Sequence, residues 1–404
     1  MNRIAEALCA ALREGPAGAS PNDLTGLTPA EWHEVAALAI RQRVGPLLYS
    51  RARLPMPDDV RALLRARAEV SARRALMQQA AFRELAAAIA PLGISLMALK
   101  GLHLATSVYA SAALREMDDI DVMVRPEHVE AVSVVVRQLG YRPMSEVPVA
   151  IALKALHHVP GFRRGSVSLE VHWRLALPGT APTVEPDELW RMARPTALAA
   201  NARTLTPEAS LVHICAHAGT HYFEQGLRPM CDVQAIVARS GNALSWPLVI
   251  ELARRWSCER SMALVLSLAQ DAFGVCVPDE VLDARSDQRP PREVLSVAMT
   301  LTLSGTREIY ETTPAAGELL SMPGTWAKLR HLRDRIWLPE DLMATKYPDS
   351  GTGGLAKAGV TARRVSVLLR RHAWNLLRLA TQRKSTARAT LDRRNALITW
   401  LRDR

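Results

Sequence analysis

Residues 97–124, MALKGLHLATSVYASAALREMDDIDVMV, carry the pattern on which the predicted fold depends. An apolar run ends at a Lys100-Gly101 turn, a short helical stretch follows, and a second apolar run carries Asp119 and Asp121. Side chains two positions apart on a strand lie on the same face, so the two carboxylates are predicted to point to one place. A carboxylate pair beside a glycine turn indicates a divalent metal held next to a phosphate.

A third acid is expected on a later strand, because residues 167–175, VSLEVHWRL, alternate with period two. The alternation places Glu170 and His172 on one face of the strand and Leu169 and Val171 on the other. The Asp-x-Asp pair alone is a weak signal, since acids are common at solvated strand ends. The Lys-Gly turn and Glu170 together favour a catalytic site over that simpler interpretation.

Acids in this arrangement suit phosphoryl or nucleotidyl transfer, in which metal ions bridge the phosphates and neutralise developing charge. Two acids on one strand can hold two ions about 4 Å apart. A third acid can complete a metal shell or take the proton of the attacking hydroxyl. We therefore predict Asp119, Asp121 and Glu170 as both the catalytic and the metal-binding residues, with Mg²⁺ or Mn²⁺ as the ion.

The nucleotide is expected to bind at the Lys-Gly turn. A helix that begins at Gly101 presents free N–H groups and a favourable dipole to an anion, and glycine permits close approach of the backbone. Lys100 or Arg115 would neutralise phosphate charge, while His172 faces the same way as Glu170. We predict Lys100, Gly101, Arg115 and His172 as nucleotide-binding residues, and a nucleoside triphosphate, taken to be ATP, as the substrate.

Several segments resemble an uncharacterised nucleotidyltransferase family of the polymerase-β superfamily. The specific part of the resemblance is a Lys-Gly turn, an Arg before the Asp-Ile-Asp strand, and a later Glu-x-His-Trp strand. The similar segments are residues 99–101, Tyr109, 114–115, 118–124, 169–174, 211–221, 227–232, 337–340 and 346–348.

The resemblance implies an α+β fold in which a small mixed β-sheet, the nucleotidyltransferase core, is flanked by large helical N- and C-terminal regions. It also implies two metal ions and a nucleoside triphosphate. By matched position, Asp119 and Asp121 become metal ligands and Glu170 the third acid. The Lys-Gly turn stands in place of the Gly-Ser of the wider superfamily. Asp118 stands where this branch usually has glycine, and no role is assigned to it.

Length and composition favour a helix-rich protein of several domains. The 404 residues are 49% apolar and only 5% aromatic, which excludes global disorder. No apolar run reaches the length of a membrane span, and residues 1–13 lack the uninterrupted apolar core of a secretory signal. Five scattered cysteines without close metal-ligand spacing indicate a reduced, cytoplasmic protein.

Periodicity and turn residues divide the chain into four predicted regions. These are a helical N-terminal region (1–90), a catalytic core (91–178), a helical domain (179–347) and a basic helical segment (348–404). Strands are predicted over 94–99, 120–124 and 167–175, with a short edge at 141–143. Helices are predicted over 60–89, 102–109, 126–139, 207–220, 230–239, 246–255, 261–273, 291–303, 325–336, 363–381 and on to 404.

The basic C-terminal segment supplies most of the net charge of +11, which favours an acidic partner. The favoured interpretation of this segment is a set of amphipathic helices docked on the preceding domain. RNA-backbone binding and membrane-surface attachment are the alternatives. Few aromatic residues are present there to stack on bases.

Three histidines, His213, His217 and His221, fall on one stripe of a predicted helix. Because no acid lies between them and their flanks are apolar, a packing stripe against the sheet is favoured over a zinc site. His217 or His221 is expected to bond Asp232 or to line the nucleotide cleft.

Two further residue pairs are interpreted as structural or without a role. The pair His157-His158 lies in a predicted loop, and an exposed pair without a role is favoured over a substrate contact. Arg228 and Asp232 are one helical turn apart, which predicts an ion pair at a helix start.

The sequence thus predicts a metal-dependent nucleotidyltransferase that moves a nucleoside monophosphate from a triphosphate to an unidentified acceptor, with release of pyrophosphate. A small molecule, a peptide, a protein side chain and a tRNA end are all open as acceptors. The alternatives are a non-catalytic nucleotide- or RNA-binding module of the same fold, and a phosphotransferase that leaves a nucleoside diphosphate.

Overall fold

The computed structural model describes residues 1–14, 24, 26–51, 54–178, 180–282, 289–304 and 386–402, with a few isolated positions between 326 and 366. The helices predicted over 325–336 and 363–381 therefore lie outside the described residues, apart from those isolated positions. So do the two last segments of the family resemblance, 337–340 and 346–348.

A seven-stranded mixed sheet forms the centre of the molecule, with the strand order β3-β4-β5-β2-β1-β7-β6. The pairs β2–β5 and β1–β7 are parallel, whereas the other neighbours are antiparallel. The strands are β1 (Leu96–Ala98), β2 (Ile120–Met123), β3 (Arg142–Pro143), β4 (Phe162–Arg164), β5 (Val167–His172), β6 (Ala193–Pro195) and β7 (Ala202–Leu205).

The predicted strands β1, β2 and β5 and the edge β3 are confirmed, although β1 and β5 are shorter than their apolar runs suggested. Strands β4, β6 and β7 were not predicted, because segments of three or four residues carry too little alternation to be recognised. Since β6 and β7 belong to the same sheet, that sheet continues to Leu205. The α+β class is confirmed, while the division into four domains stays a prediction.

Helices surround the sheet, and most of the predicted ones within the described residues are present. Their signals are local, as in the second helix, where Thr28 and Glu31 form a capping box and Pro29 occupies the first turn. The helices are α1 (Arg3–Leu12), α2 (Pro29–Arg41), α3 (Gly45–Tyr49), α4 (Asp58–Ile89), α5 (Lys100–Ser107), α6 (Val129–Gln138), α7 (Val149–Ala155), α8 (Pro186–Arg191), α9 (Pro207–Thr220), α10 (Arg228–Ser240), α11 (Trp246–Arg255), α12 (Glu259–Phe273), α13 (Asp279–Leu282), α14 (Arg292–Ser304) and α15 (Thr386–Arg402).

The two faces of the sheet belong to different apolar clusters. Ile120 and Val122 of β2 pack in one cluster with Phe82 of the long helix α4. Met123 of the same strand packs in the other cluster, which includes Leu211 of α9. The period-two alternation of β2 therefore directs Asp121, which is two residues before Met123, toward α9. We call this side of the sheet the α9 face.

Among the described helices, none combines the length and the apolarity that crossing a membrane requires. All five cysteines are free thiols, and four of them are buried.

Candidate active site

A cavity of about 1250 Å³ lies between the α9 face of the sheet and the helices α9, α10, α12 and α15. Pockets for small ligands usually measure about 300–1,000 Å³, so this cavity has room for a nucleotide and part of an acceptor. Its lining includes every residue predicted for the site: Lys100, Gly101, Arg115, Asp119, Asp121, Glu170 and His172.

Asp121 and Glu170 lie directly beside each other on the parallel strands β2 and β5. Like charges in this position destabilise a sheet unless something neutralises them. His172 Nε2 lies 2.9 Å from Asp121 Oδ1 and 3.3 Å from Glu170 Oε2, and all three residues are turned to the cavity. Asp121, Glu170 and His172 have ligand atoms within 4.8 Å of one another, which is the spacing that a metal ion requires.

The charges of this group are set by the partners that each member has. Burial acts to raise the pKa of Asp121, but the Lys100 ammonium and the His172 hydrogen bond hold it well below its usual value. At Glu170 burial again acts to raise the pKa, but the hydrogen bond with His172 and the neighbouring His158 lower it. The imidazole of His172 has a raised pKa, because its bonds to the two carboxylates outweigh burial. Both acids are therefore anionic at neutral pH.

Asp119 precedes β2 and is not a member of this three-residue group. Burial raises the pKa of its carboxyl, and the neighbouring charges of Asp121 and Glu170 raise it further. Lys100 lowers it, but this does not cancel the effect of the two acids. Asp119, Asp121 and Glu170 together therefore carry more negative charge than Lys100 and His172 neutralise, which is the electrostatic condition for binding a cation.

Lys100 begins α5 in a left-handed conformation, with a φ of 39°. Non-glycine residues adopt this region rarely, and where they do, the conformation is often tied to function. Its Nζ lies 3.3 Å from Asp121 Oδ2. The ammonium thus neutralises part of the carboxylate charge, and its predicted contact with phosphate stays a prediction.

Gly101 is required by the close approach of the segment before β2. A Cβ atom at this position would lie 3.0 Å from both Arg115 Nη1 and Met117 Cγ. Because a side chain here would press on these neighbours, glycine keeps the turn narrow, and Gly101 itself lines the cavity.

Arg115 forms an ion pair with Asp232 of α10. Its Nε and Nη2 donate to the two carboxylate oxygens of Asp232 at 3.1 and 2.8 Å, and Nη1 donates to the Glu116 carbonyl at 3.1 Å. The Tyr109 hydroxyl donates to the same carboxylate at 2.8 Å. The ion pair expected between Arg228 and Asp232 is therefore wrong, because Asp232 binds Arg115. The role of Arg115 in nucleotide binding stays a prediction.

The pair His157-His158 is half-buried and lines the cavity, so the expectation that it is exposed is wrong. His158 forms a β-bridge with His172, and the two imidazole centroids are 4.8 Å apart. Burial lowers the pKa of His157 to about 3. The only signal in the sequence was the position of the pair in the loop before the predicted Glu170 strand, and the pairing itself depends on the fold.

The histidine stripe of α9 faces the sheet as predicted, and His217 and His221 line the cavity. His217 Nε2 lies 2.7 Å from Gln225 Nε2, so the imidazole accepts a hydrogen bond from that amide and does not bond Asp232. Burial lowers the pKa of all three histidines of the stripe. They are therefore neutral at pH 7.

The last helix, α15, closes one side of the cavity with Leu401 and Arg402. It is attached by Arg394, whose Nε lies 3.3 Å from Glu224 Oε1 in a buried pair. The Arg260 guanidinium lies over the Trp400 ring. The helix α15 is therefore part of the wall of the cavity.

Comparison with known protein families gives one match. Residues 28–274 match the family described as uncharacterised nucleotidyltransferase. The matched stretch covers more than half of the chain and contains all the predicted site residues and the helices from α2 to α12. Comparisons with curated proteins and with solved structures give no match.

Proposed function

The chain belongs to this nucleotidyltransferase family, and we propose that it transfers a nucleoside monophosphate from a nucleoside triphosphate to an acceptor, with release of pyrophosphate. The observation that carries the proposal is the group of three acids, Asp119, Asp121 and Glu170, which Lys100 and His172 neutralise only in part and which lies in a large cavity beside the Lys-Gly turn. The proposed ion is Mg²⁺ or Mn²⁺, and ATP is the proposed triphosphate.

The residues present fit a divalent ion. Two carboxylates and an imidazole offer oxygen and nitrogen ligands, and the spacing of 2.9 and 3.3 Å between them suits neighbouring positions around one metal. Asp121, Glu170 and His172 would hold this ion, and Asp119, which lines the same cavity, remains a proposed metal ligand beside them. When bound, the ion supplies positive charge that offsets the charge of the phosphates. The imidazole makes the site better suited to Mn²⁺ than an all-carboxylate site would be.

The chain's own residues then divide the work of the reaction. The first N–H groups of α5 and the Lys100 ammonium bind phosphate oxygens. The acceptor hydroxyl oxygen forms the new bond to the α-phosphorus, the bond to the bridging oxygen breaks, and pyrophosphate leaves. Glu170 is 29% exposed, against 9% for Asp121 and 2% for His172, so it is the group member most open to the cavity. We assign the proton of the acceptor hydroxyl to the Glu170 carboxylate.

The test is the change Asp121→Asn, which keeps the shape of the side chain and removes its charge. We expect Mn²⁺ binding, followed by calorimetry, to weaken by at least about 100-fold, since losing a residue that only supports a ligand already costs about 10–100-fold. Transfer of label from an α-labelled triphosphate to candidate small molecules, peptides, proteins and tRNA should be abolished. The matched control is Asp187→Asn, because Asp187 is 72% exposed and does not line the cavity.

Three outcomes would contradict the proposal. Full label transfer by the Asp121→Asn variant would show that the site is assigned wrongly. A nucleoside diphosphate in place of pyrophosphate would show transfer of the terminal phosphate. Metal-independent RNA binding without affinity for triphosphates would favour a binding module.

A further inference from the structure

Beside the acidic group lies a cluster with the opposite charge balance, which we call the arginine cluster. Glu116 pairs with Arg67, and Asp232 pairs with Arg115. The remaining acid, Asp118, faces three guanidinium groups. These are Arg43 in direct contact, Arg74 Nη1 at 3.8 Å and Arg228 Nη1 at 3.7 Å. Five arginines therefore share three carboxylates, and the cluster carries an excess of positive charge.

Within the arginine cluster, Arg228 is the cation whose charge is least compensated by water or by a nearby carboxylate. Its side chain is only 17% exposed, whereas Arg43 and Arg74 are 39% and 44% exposed and are solvated by water. Its Nε is buried without a hydrogen-bond partner among the described residues. Burial lowers the pKa of Arg228 to about 10, and the nearby charges of Arg115 and Arg43 act in the same direction. A buried cation with so little compensation is costly unless an anion joins it.

The position of Arg228 relates it to the Lys-Gly turn. Arg228 Nη1 donates to the Glu116 carbonyl at 3.2 Å, and Arg115 Nη1 donates to the same oxygen. The two guanidinium groups therefore lie side by side, and Arg115 Nη1 lies 3.0 Å from the place that a Cβ atom at Gly101 would occupy. Arg228, Arg115 and Gly101 all line the cavity. The start of α5 and Arg228 thus border one region of it.

We infer that Arg228 binds the terminal phosphates of the triphosphate and the pyrophosphate that leaves, with the Asp118 carboxylate as a competing anion when the site is empty. This inference rests on the proposed function and names a further residue for it. A guanidinium suits this role because it donates two parallel hydrogen bonds to a phosphate. The acids Asp119, Asp121 and Glu170 repel this anion, whereas the arginine cluster adds positive charge next to the start of α5 and Lys100.

The first experiment measures the dissociation constant of magnesium pyrophosphate by calorimetry. Arg228→Gln should weaken binding by about 10- to 100-fold, the effect of losing charge-assisted hydrogen bonds. Arg74→Gln is the matched control, because Arg74 faces the same Asp118 carboxylate but does not line the cavity. Its effect should stay within about threefold. Arg228→Lys should give an intermediate loss, since lysine keeps the charge without the paired donors.

A second variant guards against misfolding of the first. Asp118→Asn removes the competing anion, so pyrophosphate should bind about fivefold more tightly, the effect of one partly solvated charge. A gain of affinity cannot come from a damaged fold. The inference is overturned if Arg228→Gln keeps wild-type affinity, if Arg74→Gln loses as much, or if Asp118→Asn fails to tighten binding.

These equilibrium measurements are separate from turnover. A wild-type protein that transfers nucleotide while Arg228→Gln binds pyrophosphate normally would overturn only the role of Arg228. A protein that binds pyrophosphate through Arg228 but transfers no nucleotide would overturn only the proposed reaction.

Discussion

Two sets of acids lie within a short distance of each other and are treated differently by the fold. The arginine-paired acids are Glu116, Asp118 and Asp232, each of which contacts at least one guanidinium. The cavity acids are Asp119, Asp121 and Glu170, which have no arginine partner among the described residues and share Lys100 and His172. Folding neutralises the first set and leaves the second with excess charge.

The difference shows where a ligand's charge is expected. Neutralised acids hold segments together, as Asp232 holds α10 against the turn before β2. Acids with excess charge cost stability in the free protein, and they are retained where function needs them. Asp118 and Asp119 are neighbours in the chain and fall on opposite sides of this division.

The largest expected effect tests the structural role of the arginine-paired acids. Asp232→Asn would leave the Arg115 charge buried without its carboxylate, so the free energy of unfolding should fall by about 3–5 kcal/mol. Urea denaturation measures this loss. The same change at the exposed pair of Asp187 and Arg125 should cost less than about 1 kcal/mol. A stable Asp232→Asn protein would show that this acid does not hold the fold together.

The next effect extends the comparison to histidines, since His172 has two carboxylate partners and His213 has none in the part of the chain that the structure describes. Burial, followed by the charge of Lys100, lowers the pKa of His213 to about 3. When the pH decreases below about 6.5, the usual pKa of histidine, His213 is protonated in the unfolded chain but not in the folded protein. Each further decrease of one pH unit therefore lowers the free energy of unfolding by about 1.4 kcal/mol. The stability that the neutral His213 contributes is fully present above about pH 6.5.

His213→Leu should remove that part of the pH dependence. Urea denaturation of the wild type and the variant at pH 7.5 and 5.5 measures it, and the wild type should lose about 1.4 kcal/mol more between the two values. Equal losses in the two proteins would show that His213 is protonated in the folded state.

The smallest effect on stability is expected at the neighbours Asp118 and Asp119. Because burial and the charges of Asp121 and Glu170 raise the pKa of Asp119, its ionised form costs stability above about pH 4. Asp119→Asn should therefore raise the free energy of unfolding at pH 7 by about 1 kcal/mol and abolish label transfer. Thermal unfolding in chelator and the transfer assay provide the two readouts.

Asp118→Asn, one position earlier in the chain, is expected to have the opposite effect on stability. The side chain is 43% exposed, so losing its arginine contacts should cost about 1 kcal/mol or less while label transfer continues. If Asp119→Asn lowers stability as Asp118→Asn does, the division between the two sets of acids is wrong.

Much of the fold follows from local signals. The caps and prolines of the helices and the alternation of β2 and β5 act within a few residues, so they can be identified in the sequence. The same alternation predicted that Glu170 and His172 share a face. The strands β4, β6 and β7 carry no such signal, because they exist through pairing with neighbours.

For the candidate site, the sequence by itself determined which side chains of one strand share a face, because side-chain direction repeats every two residues of a strand. Only the tertiary structure decided that Asp121 lies beside Glu170, that His157 and His158 line the cavity, and that Asp232 binds Arg115 rather than Arg228. These contacts join residues far apart in the chain. Their formation depends on how strands pair and helices pack, and no local rule specifies a partner at that separation.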